Sequence, residues 1–327
     1  MIREIVRRRV TGVEGNSSVN GAAPKLALVI EGGGMRGIYS GGMLVAMESL
    51  GLTNVFDGVF GESAGAINAA YFLSGQGAFG IRIYLEDLAS LKFANPLRIG
   101  RMLDVDYAVD TVVKSVKPLN VDRVLRNPSR FHVAVTNGAT GEPRVIAAQR
   151  GGVPLLTLLK ASAAIVPLYN RAVEIDGHPY VDGGIANPIP VGSAIFAGYT
   201  HILVLLTQPL NFFATPFTAL QRACIAPLFL RWPPAFVAAF YDRLWRHYNE
   251  TRDLALGRTA AGDGVSIAVI APAADSPRFS RSTRARSKLL AAKDDAVQRT
   301  LRVFAELSRV AERPQTDDTC WQARTGT

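Results

Sequence analysis

Cysteine is scarce in this sequence: Cys224 and Cys320 are the only two in 327 residues. Two thiols make no disulfide framework, so a reducing compartment is the default expectation. Histidine is almost as scarce, with His132, His178, His201 and His247, and nothing resembles a His/Cys metal cluster or a calcium loop. No metal or other cofactor is expected. Long apolar runs are missing too. The nearest, 225–240, is interrupted by Arg231 and three prolines, so no bilayer-spanning helix is expected. The first residues, MIREIVRRRVTGVEGNSSVNGAAPK, lack the apolar centre of a secretory signal. A cytoplasmic protein is expected, with any membrane contact peripheral.

The chain is rich in apolar residues, 48%, enough to bury the core of one large α/β domain or a domain with an appendage. Its net charge of +9 is uneven. Residues 1–25 carry +3, residues 278–313 carry +6, and the long body between them carries only +1. Basic ends of this kind suit screened attraction to an anionic membrane, or plain solubility. No nucleic-acid partner is expected.

Residues 1–24 are polar and basic, and a disordered arm is expected there. From Lys25 the pattern alternates. Strands are expected at 25–31, 55–61, 131–136, 143–147, 172–175 and 201–207. Helices are expected at 37–50, 64–73, 80–91, 106–116, 153–164 and 190–197, with a turn over Asp176-Gly177-His178-Pro179. That alternation implies a mostly parallel sheet covered on both faces. After residue 207 the texture changes: an aromatic, proline-broken stretch at 208–240, a helix at 235–256, a strand at 265–270 and a basic amphipathic helix at 282–308. The expected organisation is therefore a tail (1–24), a catalytic core (25–207) and a largely helical C-terminal extension (208–327) packed on the core or continuous with it.

Two glycine-rich turns lie within Leu26–Leu73, each after a short apolar run and before a helical pattern. Gly32-Gly33-Gly34-Met35-Arg36-Gly37 leaves the backbone open to a negatively charged oxygen. It lacks the Gly-Lys-Ser/Thr ending of a phosphate loop and does not fit a dinucleotide fingerprint. Gly61-Glu62-Ser63-Ala64-Gly65 is a G-x-S-x-G sequence at a strand-to-helix bend, which exposes a serine hydroxyl near the positive end of a helix. Ser63 is the candidate nucleophile. The N–H groups of Gly33, Gly34 and Ala64 are candidate oxyanion donors.

A serine nucleophile needs a base. His132 and His201 fall within strands, His247 in the late helix and His178 in a turn, and none has the late-chain setting of an α/β-hydrolase triad. Asp182, in Tyr180-Val181-Asp182-Gly183-Gly184, is the other candidate, although Asp-Gly-Gly is also an ordinary turn sequence.

The ordered blocks G-G-G-M-R-G, G-E-S-A-G and D-G-G resemble the signature of the patatin-like phospholipases over roughly residues 25–208. The resemblance implies a three-layer α/β/α fold and a Ser–Asp dyad, with Ser63 as nucleophile and Asp182 as base. It assigns the oxyanion loop to Gly32, Gly33 and Gly34, stiffened by Arg36. Ala161-Ser162 and Pro167 resemble a further block of the family, with the proline one place late, and Tyr248-Asn249-Glu250 resembles the tail of a bacterial subgroup. The implied activity is hydrolysis of an acyl ester in a lipid substrate, of the phospholipase A or lysophospholipase type. Two alternatives stand beside it: a lipid- or membrane-binding protein with a silent site, and a thioesterase or acyltransferase using the same dyad.

Overall fold

A computed structural model of the chain describes residues 2–11, 24–149 and 152–305. Its centre is an eight-stranded sheet: β1 (Leu26–Ile30), β2 (Gly58–Glu62), β3 (Arg130–Asn137), β4 (Pro143–Ala147), β5 (Val173–Ile175), β6 (His178–Asp182), β7 (His201–Leu205) and β8 (Ser266–Ile270). The order is β5-β6-β3-β2-β1-β7-β8, with β4 paired to β3. Strands β3, β2, β1, β7 and β8 run parallel, and β4, β5 and β6 are joined antiparallel.

Alternation along β1 shows how two layers of helices are held. Leu26, Leu28 and Ile30 face one core and Ala27 and Val29 the other, and all five are fully buried. The helices in chain order are α1 (Ile2–Thr11), α2 (Ile38–Ser49), α3 (Ala64–Leu73), α4 (Gly77–Gly80), α5 (Arg82–Glu86), α6 (Val121–Arg126), α7 (Leu155–Ala163), α8 (Val191–Phe196), α9 (Ala219–Ile225), α10 (Pro234–Ala255) and α11 (Arg286–Val303). Side chains of α2, α3, α7 and α11 fill the first core. Those of α8 and α10 fill the second.

Several expectations are corrected. The arm expected to be disordered carries α1, whose Ile2, Ile5 and Val6 are buried, while Arg9 pairs with Asp57 at 2.9 Å. An i, i+3, i+4 apolar stripe hidden among arginines outweighs the polar composition there. Residues 12–23 lie outside the described residues. The helix expected over 80–91 is two short pieces, α4 and α5, and that over 106–116 is a π-helix, Tyr107–Val116. The turn over residues 176–179 is confined to Asp176 and Gly177, because His178 and Pro179 already belong to β6. The basic helix begins at Arg286 rather than 282, and its expected end beyond residue 305 lies outside the described residues.

β8 pairs with β7 over five residues, so the late strand extends the same sheet. Phe229, Phe236 and Phe240 of the proline-broken stretch pack with Val166, Val181 and Ile185 in a third apolar cluster. Among the described residues, no helix is long and apolar enough to cross a membrane.

Candidate active site

Strand β3 is the ruler of the site. Its Ala134 pairs with Glu62 at the end of β2, and the next residue, Val135, pairs with Asp182 at the end of β6. Ser63 follows Glu62 directly, so this register brings residues 119 positions apart into contact. Ser63 Oγ donates to Asp182 Oδ2 at 2.7 Å. β1 lies on the other side of β2 and delivers the glycine turn to the same edge, at the carboxyl ends of the parallel strands.

Ser63 occupies a sharp bend with φ 51° and ψ −128°, a strained setting for a residue with a side chain. The neighbourhood holds it there. Its N–H donates to Ser162 Oγ (2.8 Å), which donates to the Ala134 carbonyl (2.7 Å). Gly65 is required by close approach, because a Cβ there would lie 2.5 Å from the Ile30 carbonyl oxygen. The helix α3 begins at Ala64, directly after the serine.

Gly33 has φ 128° and Gly34 φ 60°, which turns the loop over Ser63. The N–H groups of Gly33, Gly34 and Ala64 have no hydrogen-bond partner among the described residues. Gly32 differs: its N–H donates to Glu62 Oε1 at 2.6 Å and its carbonyl accepts from Thr207 Oγ1 at 2.7 Å. Gly32 thus anchors the loop, and the N–H groups left free are those of Gly33, Gly34 and Ala64, the donors expected from the sequence. Arg36 packs its guanidinium beside Gly33, its Nε sealed from solvent. Burial, then the neighbouring Arg281, lower its pKa to about 10.

Asp182 is buried, with Oδ1 accepting from the Gly184 N–H at 2.7 Å. Burial raises its pKa, and hydrogen bonds from Ser63, Gly184 and Glu62 pull it back. Glu62 is also buried, and burial, then the Asp182 charge, push its carboxyl well above the ordinary range. Its Oε2 and Asp182 Oδ1 lie 3.0 and 2.9 Å from a single point over Gly184. Two like charges side by side repel, which favours a proton on the pair, and the stronger upward push falls on Glu62.

A cavity of about 250 Å³ opens over the pair, with Ile165, Val166, Phe217, Ile225, Phe240 and Leu244 among its walls. A narrower apolar recess of about 40 Å³ lies on the other side of Ser63, lined by Ile67, Leu88, Phe93, Leu103 and Val105. None of the four histidines lines either space. His132 stacks on Phe60 at 4.3 Å, His201 begins β7, His178 is exposed at the start of β6, and His247 is on α10.

The sequence model of the patatin-like phospholipases matches residues 28–195, just over half of the chain. This chain belongs to the patatin-like phospholipase family. Among its relatives, the uncharacterized protein YjjU of Escherichia coli (strain K12) is 30% identical over 198 residues, which is 59% of this chain and 54% of that one. The human patatin-like phospholipase domain-containing protein 4 is 29% identical over 168 residues, covering 48% of this chain and 64% of its own. An uncharacterized NTE family protein of Mycobacterium tuberculosis is 29% identical over 185 residues, 55% of this chain and 46% of its own. The chain thus spans about half the length of the bacterial relatives it matches. Among solved structures, VipD from Legionella pneumophila gives a TM-score of 0.47 at 13% identity, over 87% of this chain and 67% of that one. Human GIVD cytosolic phospholipase A2 gives 0.45 at 13% identity, over 95% and 62%.

Sequence reasoning did not single out four residues that this patatin-like site uses. Glu31 accepts from the Thr207 N–H (2.6 Å) and the Tyr248 hydroxyl (3.0 Å), tying the glycine turn to β7 and α10. Glu62 holds Gly32 and faces Asp182, and the carbonyl of Arg281 accepts from the Met35 N–H at 3.0 Å. A signal for both glutamates was present, since each is a carboxylate ending an otherwise apolar strand. Thr207 and Arg281 carried none.

Proposed function

We propose that this chain is a serine acyl hydrolase that cleaves lipid esters with a Ser63–Asp182 dyad. The observation that carries the reading is the 2.7 Å hydrogen bond from Ser63 Oγ to Asp182 Oδ2 inside a cavity with apolar walls. Membership of the family supports it.

In this reading Asp182 takes the hydroxyl proton as Ser63 Oγ bonds to the ester carbonyl carbon. The carbonyl oxygen becomes an anion held by the N–H groups of Gly33, Gly34 and Ala64. The same proton passes from Asp182 to the departing alcohol, leaving the acyl group on Ser63. Asp182 then draws a proton from water, whose oxygen attacks the acyl carbon, and collapse of the second tetrahedral state frees the acid and the serine. The apolar walls and the recess behind Ser63 favour an acyl chain over a polar acid.

A fluorophosphonate probe tests this directly, beside turnover of a short-chain aryl ester. Ser63 should carry the label in the wild type, and Ser63→Ala should lose both label and turnover. Equal labelling of the two proteins would sink the assignment.

A further inference from the structure

Phe196 on α8 is the most exposed large apolar side chain among the described residues, at 96%, and the next four lie elsewhere. Leu97 is 88% exposed, Ile99 86%, Leu230 86% and Leu220 75%. They come from two segments far apart in sequence, and Asn170 joins those segments. Its N–H donates to the Gly100 carbonyl (2.8 Å), its Nδ2 to the Leu228 carbonyl (2.6 Å), and its Oδ1 accepts from the Trp232 indole. Two residues before Asn170 lies Leu168, which ends the 165–168 wall of the catalytic cavity and accepts from the Leu103 N–H at 3.0 Å. On the other flank is α9, where no residue is buried although Ile225 reaches the cavity. The exposed leucines and isoleucine therefore edge the mouth through which a substrate must pass.

The two segments themselves carry only cations, and the acids that pair with three of them lie just outside. Residues 88–103 contain Lys92, Arg98 and Arg101 and no Asp or Glu, and residues 208–241 contain Arg222 and Arg231 and again no acid. Arg98 and Arg101 are held by Asp104 at 2.8 Å each, and Arg222 by Asp242 at 3.4 Å. Lys92 and Arg231 are exposed, with no acidic partner among the described residues.

We propose that this rim, residues 91–101 together with 210–231, is a docking surface for an anionic phospholipid bilayer. Side chains with apolar bodies enter the acyl boundary while the cations meet lipid phosphates, and the cavity opens onto the membrane. The exposed Lys92 and Arg231 and continuity with the cavity select this occupant. The basic helix α11 does not offer an equivalent face, because Leu289, Ala292 and Ala296 are buried against the body. The proposal rests on the lipid-ester reading above, and its test is kept separate from it.

Binding is measured on the full chain carrying Ser63→Ala, by co-sedimentation with vesicles of phosphatidylcholine, with and without phosphatidylglycerol. The protein should bind the mixed vesicles, and binding should weaken as salt rises. Adding Leu97→Gln, Ile99→Gln and Leu230→Gln should lower partitioning at least about tenfold. In an otherwise wild-type chain, the same three changes should leave turnover of a soluble short-chain ester within about twofold, since none of the three lines the cavity. Leu290→Gln, on the outer face of α11, should leave vesicle binding unchanged. Failure of the wild type to hydrolyse the soluble ester would count against the hydrolase reading alone. The docking proposal is overturned if Ser63→Ala ignores anionic vesicles, or if the triple variant binds as well as its parent. It is equally overturned if Leu290→Gln abolishes binding, or if the triple variant abolishes self-association while vesicle binding persists.

Discussion

Asp182 could accept a proton from Ser63 only as a carboxylate, and asparagine keeps its shape without that capacity. A general base contributes typically about 10²–10⁴-fold. Asp182→Asn should therefore lose at least about 10²-fold in kcat on an aryl ester, and adding Ser63→Ala should cost little more, because the two act as a unit. Asp182 also shapes the turn through Gly184, a task asparagine performs equally well. A folded Asp182→Asn protein with near-wild-type kcat would leave the dyad untenable. Glu62 permits a second test. Its Oε1 takes the Gly32 N–H and its other oxygen faces Asp182, the arrangement of a protonated carboxyl. Glutamine reproduces both roles without titrating. Wild-type activity should rise with pH as Asp182 ionises, with a midpoint above its ordinary 3.8, and fall again at higher pH as Glu62 loses its proton. Glu62→Gln should keep the rising limb and lose the falling one in a kcat/KM profile. Stability follows the same proton. Between the ordinary 4.5 and the raised value, folded Glu62 binds a proton that the unfolded chain has released, so stability falls as pH rises. Glu62→Gln removes that loss, and its Tm should exceed the wild type's at neutral pH and converge with it below about 4.5. Equal pH profiles for the two proteins would overturn the assignment of the falling limb to Glu62.

At the scale of elements, α2 and α11 pack closely. A Cβ on Gly42 would sit 2.9 Å from Ala296 Cβ and 2.9 Å from the Lys293 carbonyl oxygen. Overpacking of this kind costs about 1–3 kcal/mol. Gly42→Val should lower the urea midpoint accordingly. It should also reduce turnover, because Arg281, just before α11, holds Met35 in the glycine turn. An unchanged midpoint would mean that the helices separate freely. Of the apolar set that spacing marks on this helix, Leu289, Ala296 and Phe304 are buried and Leu301 half-buried, Leu290 is exposed, and Leu307 lies outside the described residues. Which surface that set covers was not legible. Periodicity marks a face of a helix and carries no information about its partner. The aromatic stretch 208–240 fits neither groove nor core alone, since Phe240 is a cavity wall on one side and packs with Phe229 on the other.

In the whole molecule, local chemistry and long-range register divide the work. The sequence by itself determined the alternation of buried strands and helices, the two glycine turns, the serine at a strand-to-helix bend and the Asp-Gly-Gly block, because each is a property of neighbouring residues. It also limited the candidate base to a histidine or Asp182, without choosing by distance. Only the tertiary structure brings one of them to Ser63. The pairing of Ala134 with Glu62 and of Val135 with Asp182 places Asp182 beside Ser63, and a one-residue slip of β6 would turn Asp182 to the opposite face. The same holds for Glu31 and Tyr248, which meet across 217 residues. It holds for Gly32, whose N–H is taken by a glutamate on the next strand. Hydrogen bonds between distant segments depend on how strands register and helices stack, and no pattern within either segment records the other.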